Sequence, residues 1–254
     1  MKKILALAYF SLLIGGLGTA SAADMVLKAP PAPTFSWTGI TYSASVGAGW
    51  ERVNGLYTLP PPDRFNTRAT HAWGGLHTGL QYQFGQWVIG VEGTYTAPLF
   101  GEWEQSLSPS ADCLGATPVA DRFCENRIQS IWGLGGKLGF AAWQRGLLYG
   151  TGGYAQARVQ SRDRVASTGA LVVSDDNATY RHNGWYAGGG ADYALGSFGL
   201  LDFIVGVEYR HYQFDTVRHY VGGVPGVVTA NTRDLDARVD TISAKFTVKV
   251  GAPR

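Results

Sequence analysis

The feature that most restricts this chain is a glycine-rich hairpin that occurs three times. Residues 75–95 read GLHTGLQYQFGQWVIGVEGTY. One alternating run leads into the tight turn Phe84-Gly85-Gln86, and a second alternating run leads away. In the first run Leu76, Thr78, Leu80 and Tyr82 share a face, opposite Gly75, His77, Gly79, Gln81 and Gln83. In the second, Trp87, Ile89, Val91 and Tyr95 lie opposite Gly90, Glu92 and Thr94. A period of two belongs to strands, whose successive side chains point to opposite sides. Residues 132–155 and 185–212 repeat the unit. Recurring hairpins of this kind build an antiparallel all-β array.

A strand beginning near Trp37 precedes the hairpins, with Ile40, Tyr42, Ala44, Val46, Ala48 and Trp50 on one face. Another strand, 237–250, follows them, with Ile242, Ala244, Phe246, Val248 and Val250 on one face. That makes eight strands. The segments between them, 51–69, 98–125, 160–180 and 215–236, carry Pro60-Pro61-Pro62, Asp175-Asp176-Asn177 and Gly222-Gly223, and are predicted as long loops. Short and long connections therefore alternate, as in an up-and-down transmembrane β-barrel with short periplasmic turns and long outer loops. A secreted β-sandwich is the competing fold. The barrel is favoured because the apolar faces end in aromatics (Trp37, Trp50, Trp87, Tyr95) and the opposite faces are glycine-rich and polar. The predicted fold is an eight-stranded antiparallel barrel over residues 37–254.

The start of the chain supports export. Lys2 and Lys3, an apolar run from Ile4 to Leu17, and Ala20-Ser21-Ala22 read as a signal peptide over residues 1–22. Residues 23–36, with Lys28-Ala29-Pro30-Pro31-Ala32-Pro33, read as a Pro-rich periplasmic linker. The whole chain has 21 Lys and Arg against 19 Asp and Glu. Without Lys2 and Lys3 the two counts are equal, so nothing favours nucleic acid as a partner. The two cysteines, Cys113 and Cys124, share one non-repetitive segment and are expected to pair in an oxidising compartment.

At this point the residues suggest a family. The Ala22-Ala23-Asp24 boundary, the Pro-rich leader, Trp37-Thr38-Gly39-Ile40, Val88-Ile89-Gly90-Val91-Glu92-Gly93 and Leu148-Tyr149-Gly150-Thr151-Gly152-Gly153 occur in that order. The chain resembles the RopB-type porin-family proteins of Gram-negative outer membranes, small relatives of the OmpA barrel. The resemblance implies an outer-membrane location, contact with outer-membrane lipid and lipopolysaccharide, and insertion by the barrel-insertion machinery. Such proteins usually end on an aromatic residue. This chain ends Val250-Gly251-Ala252-Pro253-Arg254, with Phe246 the nearest aromatic.

No catalytic constellation is legible. The run 133–139, GLGGKLG, has Leu138 where a dinucleotide fingerprint needs glycine and a P-loop needs Ser or Thr. His211 has no adjoining serine, and His77 and Thr78 point to opposite faces. His219 and Tyr220 could ligate haem iron, but in a polar loop such residues are ordinarily solvated. No enzyme, metal or cofactor is expected. The inward faces instead carry a polar set, His77, Gln81, Glu92, Lys137, Asp192, Glu208, Arg210 and Lys245, with Arg158 and Lys249 nearer the strand ends. Inward glycines, read as Gly90, Gly135, Gly150, Gly188 and Gly206, leave room for them. An eight-stranded barrel has an interior just wide enough for side chains to fill. The expected function is therefore a structural and surface role with a mostly plugged lumen. The rival roles are a small diffusion porin, and ligand binding or adhesion through the long loops.

Overall fold

The computed structural model describes residues 35–57, 64–100, 104–105, 122–165, 179–221 and 231–251. The signal-peptide reading and most of the linker lie outside these residues, as does Cys113 and with it the expected disulfide. Ten antiparallel strands form one sheet: β1 (Gly39–Tyr57), β2 (Arg64–Phe84), β3 (Trp87–Pro98), β4 (Glu104–Gln105), β5 (Arg122–Trp143), β6 (Gly146–Val165), β7 (Thr179–Phe198), β8 (Leu201–Phe214), β9 (Val217–Val221) and β10 (Asn231–Val250). Eight long strands run in the order β1-β2-β3-β5-β6-β7-β8-β10, and β1 pairs with β10 to close the ring. Closure leaves no edge whose N–H and C=O groups would face lipid unpaired. The short β4 continues the wall on β5 beyond β3, and β9 continues it on β10 beyond β8.

The three hairpins turn at Gly85-Gln86, Gln144-Arg145 and Gly199-Leu200. Gly85 and Gly199 have φ of 59° and 61°, the left-handed region that two-residue hairpins use. All three turns lie at one end, which is the periplasmic end of such a barrel. Outward aromatics mark two levels. Phe84, Trp87, Phe140, Trp143 and Phe198 stand near the turns, and Trp50, Tyr95, Trp132, Tyr154, Trp185 and Tyr209 stand higher. On β3 the nine residues from Trp87 to Tyr95 connect the levels, matching the ~9–11 that a tilted strand needs to cross a bilayer. The upper ring carries its own polar anchors. Trp132 Nε1 donates to Gln156 at 3.0 Å, Tyr154 Oη to Asn183 at 2.7 Å and Tyr209 Oη to Asp240 at 2.6 Å.

The strands do not stop at this ring, which corrects the expected loops. Residues 51–57 and 64–69 are paired strand, β6 runs to Val165, β9 occupies 217–221, and β10 starts at Asn231 instead of Ala237. The outward apolar alternation does end at the ring. Beyond it the outward positions are mostly polar, and apolar residues move to the inward side: Val53, Ile128, Ile131, Ala155, Ala157, Val159, Phe214, Leu235, Ala237 and Val239 are buried, beside polar Glu51, Thr67 and Asn126. Alternation continues with its phase reversed, and the ladder with it. The reading of the opposite faces as glycine-rich and polar is also corrected above the ring by this cluster.

Two further placements differ from expectation. Trp37 belongs to the floor of the barrel and not to the outer face. It is 0 % exposed and packs edge-on against Phe35, with ring centroids 4.8 Å apart. Both join Val88, Ala141, Leu147, Tyr149, Ala194 and Ile204 in a second apolar cluster. The backbone N–H of Trp37 donates to Gln83 Oε1 at 2.7 Å, which ties residues 35–38 under the lower mouth. In β6 the outward residues are Leu148, Gly150, Tyr154 and Arg158, so Gly150 and Arg158 face out, not in. Arg158 sits above the upper ring, where water solvates it.

Candidate functional site in the barrel lumen

Between the two apolar clusters lies a layer of charge. β3 supplies Glu92, β5 Lys137, β7 Asp192, β8 Glu208 and Arg210, and β10 Lys245. Each occupies an inward position opposite an outward apolar neighbour, so strand alternation alone aims them at the axis. Arg210 holds two carboxylates: Nη2 is 2.8 Å from Glu92 Oε1 and Nε is 2.5 Å from Glu208 Oε1. Asp192 holds two lysines, Lys245 at 3.1 Å and Lys137 at 3.2 Å. Tyr149 joins the halves. Its hydroxyl donates to Glu208 Oε2 at 2.8 Å and accepts from Lys245 Nζ at 2.6 Å. Lys137 Nζ also lies 3.8 Å from the centroid of the Tyr149 ring, a cation–π contact. Three carboxylates thus face three cations. Buried charge is tolerated when it is paired and its remaining valences are hydrogen-bonded. Thr151 Oγ1 and Tyr186 Oη supply that for Glu92, at 2.5 and 3.2 Å from Oε1.

Inward glycines make the space. A Cβ on Gly190 would stand 2.6 Å from Tyr149 Oη, and one on Gly206 would collide with the Asp192 carboxylate. The other two sequence-named residues stand beside the ion pairs. His77 Nε2 lies 2.9 Å from Ser45 Oγ, and Gln81 borders a cavity of about 20 Å³ shared with Thr41, Glu92, Lys137 and Lys245. That volume is about one water molecule. Lys249 is buried at the floor, 2.7 Å from Asp202 and 3.1 Å from the Thr38 carbonyl. The sequence reading missed Tyr149, Thr151 and Tyr186. All three fall on the inward phase of their strands, which was the available signal.

Above the upper apolar cluster the lumen turns polar again. His219 is not a solvated loop residue: it lies in β9 and is fully buried. Its Nε2 is 2.7 Å from His182 Nε2, its Nδ1 is 3.0 Å from Ser161 Oγ, and its ring stacks on Tyr180 at 4.1 Å. His182 Nδ1 faces the Asp215 carbonyl at 3.1 Å and so donates to it. His182 Nε2 must then accept from His219 Nε2–H, which is possible only while His182 is neutral. His219 lies beyond the membrane band. Its burial, with the added repulsion of His182 and Arg233, lowers its pKa from 6.5 to about 3. Among the described residues no group of three or more His, Cys, Asp or Glu could hold a metal ion.

The closed antiparallel ring and its two outward aromatic levels have the form of an outer-membrane barrel. The profile of the outer membrane protein β-barrel domain matches residues 10–249. The chain belongs to the outer membrane protein β-barrel domain family. Its location is the outer membrane of a Gram-negative bacterium. A relative, the 31 kDa outer-membrane immunogenic protein of Brucella melitensis, is 27 % identical over 191 residues, covering 70 % of this chain and 75 % of the relative. Among solved structures, OprG from Pseudomonas aeruginosa has a TM-score of 0.45 at 14 % identity, covering 85 % of this chain and 98 % of OprG. The protease OmpT from Escherichia coli has a TM-score of 0.47 at 9 % identity, covering 83 % and 96 %.

Proposed function

We propose that this family member is a closed outer-membrane barrel of the RopB-type porin group, with a structural, non-enzymatic surface role and no open diffusion path. The observation that carries this reading is the stacking of fillings along one lumen. The Phe35–Trp37 floor lies lowest, the Arg210 and Asp192 ion clusters lie above it, and the Val159–Phe214 apolar layer lies above them. A hydrated ion entering would have to displace paired charges and then cross an apolar layer, each step costing several kcal/mol. In the same reading residues 1–22 direct export, the Pro-rich stretch stays in the periplasm, and Cys113 pairs with Cys124 in an outer loop. The relevant test is single-channel conductance of the refolded chain in planar bilayers. Traces without stable porin-sized openings are expected. Large, long-lived openings would overturn the closed barrel in favour of a diffusion channel.

A further inference from the structure

β9 is held to the upper wall along one edge. Among the described residues its backbone pairs with β10 alone, over Val217–Val221. Arg218 adds a side-chain pair to the same neighbour, 2.8 Å from Asp234. The ties to β6 and β7 run through His219. Its ring is 0 % exposed, stacks on Tyr180 of β7 with centroids 4.1 Å apart, and meets His182 of β7 at 2.7 Å and Ser161 of β6 at 3.0 Å. A strand laddered along one edge and pinned at the other by one side chain opens locally without the rest of the sheet.

The pin suits neutral rings. His219 Nε2–H then meets the lone pair of His182 Nε2, and His182 Nδ1–H meets the Asp215 carbonyl at 3.1 Å. Ser161 Oγ has one proton and two acceptors within reach, His219 Nδ1 at 3.0 Å and Asn126 Oδ1 at 2.9 Å. A proton added to His219 turns that hydroxyl to Asn126. A second, on His182, sets one N–H against another at 2.7 Å. Burial opposes either charge. So does the field at His219, where His182 and Arg233 of β10 repel a cation. Asp215 and Asp236 attract one at His182 but do not offset its burial. The groups offered by β5 and β6, Asn126 and Ser161, are neutral. We propose that β9 is an acid-released flap over the outer mouth, with the His182–His219 contact as its latch. Release uncovers the apolar layer of Val159, Phe214 and Leu235, while the Arg210 and Asp192 ion pairs below stay closed.

The test is hydroxyl-radical footprinting of the full chain refolded into neutral-lipid nanodiscs, read by mass spectrometry at about pH 7.5 and about pH 5. Phe214 reports on the upper layer, and Tyr149, buried in the lower lumen, is the internal standard. An imidazole that titrates at 6.5 when released and at about 3 when latched raises the opening constant about thirtyfold over that interval. The wild-type ratio of Phe214 to Tyr149 oxidation should rise in acid by about that factor. H182Q/H219Q, whose amides do not titrate, should give one ratio at both pH values. H211Q, which removes a histidine of the outer wall, should behave as wild type. An unchanged wild-type ratio would overturn the proposal, as would a rise that survives H182Q/H219Q or one that H211Q abolishes. If the double variant does not refold to a heat-modifiable barrel, H219Q alone decides: a rise as large as that of the wild type would overturn the latch, and a smaller one would uphold it.

Discussion

Below the upper aromatic ring this barrel is apolar outside and charged inside; above it, the same strands are mostly polar outside and bury an apolar layer with polar groups such as His182, His219 and Arg233 beyond it. β10 shows both states. Its upper part buries Leu235, Ala237 and Val239 and exposes Arg238, and its lower part exposes Ile242 and Phe246 and buries Lys245 and Lys249. The ladder is unbroken across the change. Backbone pairing is therefore indifferent to the surroundings, and the side chains alone adapt to lipid or to water. The lower section must put its polar groups inside because lipid offers them no partner, and pairs them there. The upper section is surrounded by water, so its apolar side chains gain by turning inward, where they pack beneath buried polar groups.

The largest test of this contrast is Arg210→Leu. It leaves Glu92 and Glu208 buried without the guanidinium that both share, and should cost about 3–5 kcal/mol. Urea unfolding in lipid vesicles would measure it. A loss no greater than that of Arg158→Leu, on the wet outer wall, would show that the lower charges are not coupled as described. A smaller effect separates the two outer surfaces. Leu138→Lys, on the lipid face, should destabilise by about 2–4 kcal/mol, falling toward the band edges. Thr179→Lys, above the ring, should change stability by no more than about 0.5 kcal/mol. Equal penalties would remove the boundary at the ring.

The smallest effect is that of pH on the upper lumen. His219 is held neutral, its pKa lowered from 6.5 to about 3 by burial. Opening the upper section releases an imidazole that binds a proton near its ordinary value. The stabilising contribution is therefore complete above pH 6.5 and is lost progressively as pH falls toward about 3. Hydrogen exchange of β9, corrected for intrinsic rates, should lose protection between about pH 7 and pH 5 while the midsection of β3 keeps it. Unchanged β9 protection over that interval would mean the His182–His219 contact does not contribute.

Much of this was legible in the chain. Alternation with a fixed phase showed the hairpins and which residues of each run share a face, because in a strand each residue's face follows from its parity. Turn glycines mark where two of the three hairpins reverse, at Gly85 and Gly199. Parity could not say which inward charges meet, since Glu92 and Arg210 are 118 positions apart and come together only when the ring closes. Nor did it show that the strands continue past the ring. There the apolar residues change parity, as from Trp50 to Val53 and from Tyr154 to Ala155, and a reversed phase reads in sequence as the end of a strand. Whether a side chain points into lipid, water or the lumen depends on its height on a closed wall. The sequence determined the strands and their faces; closure into a ring decided the ion pairs, and immersion of only its lower part decided which face is apolar at each level.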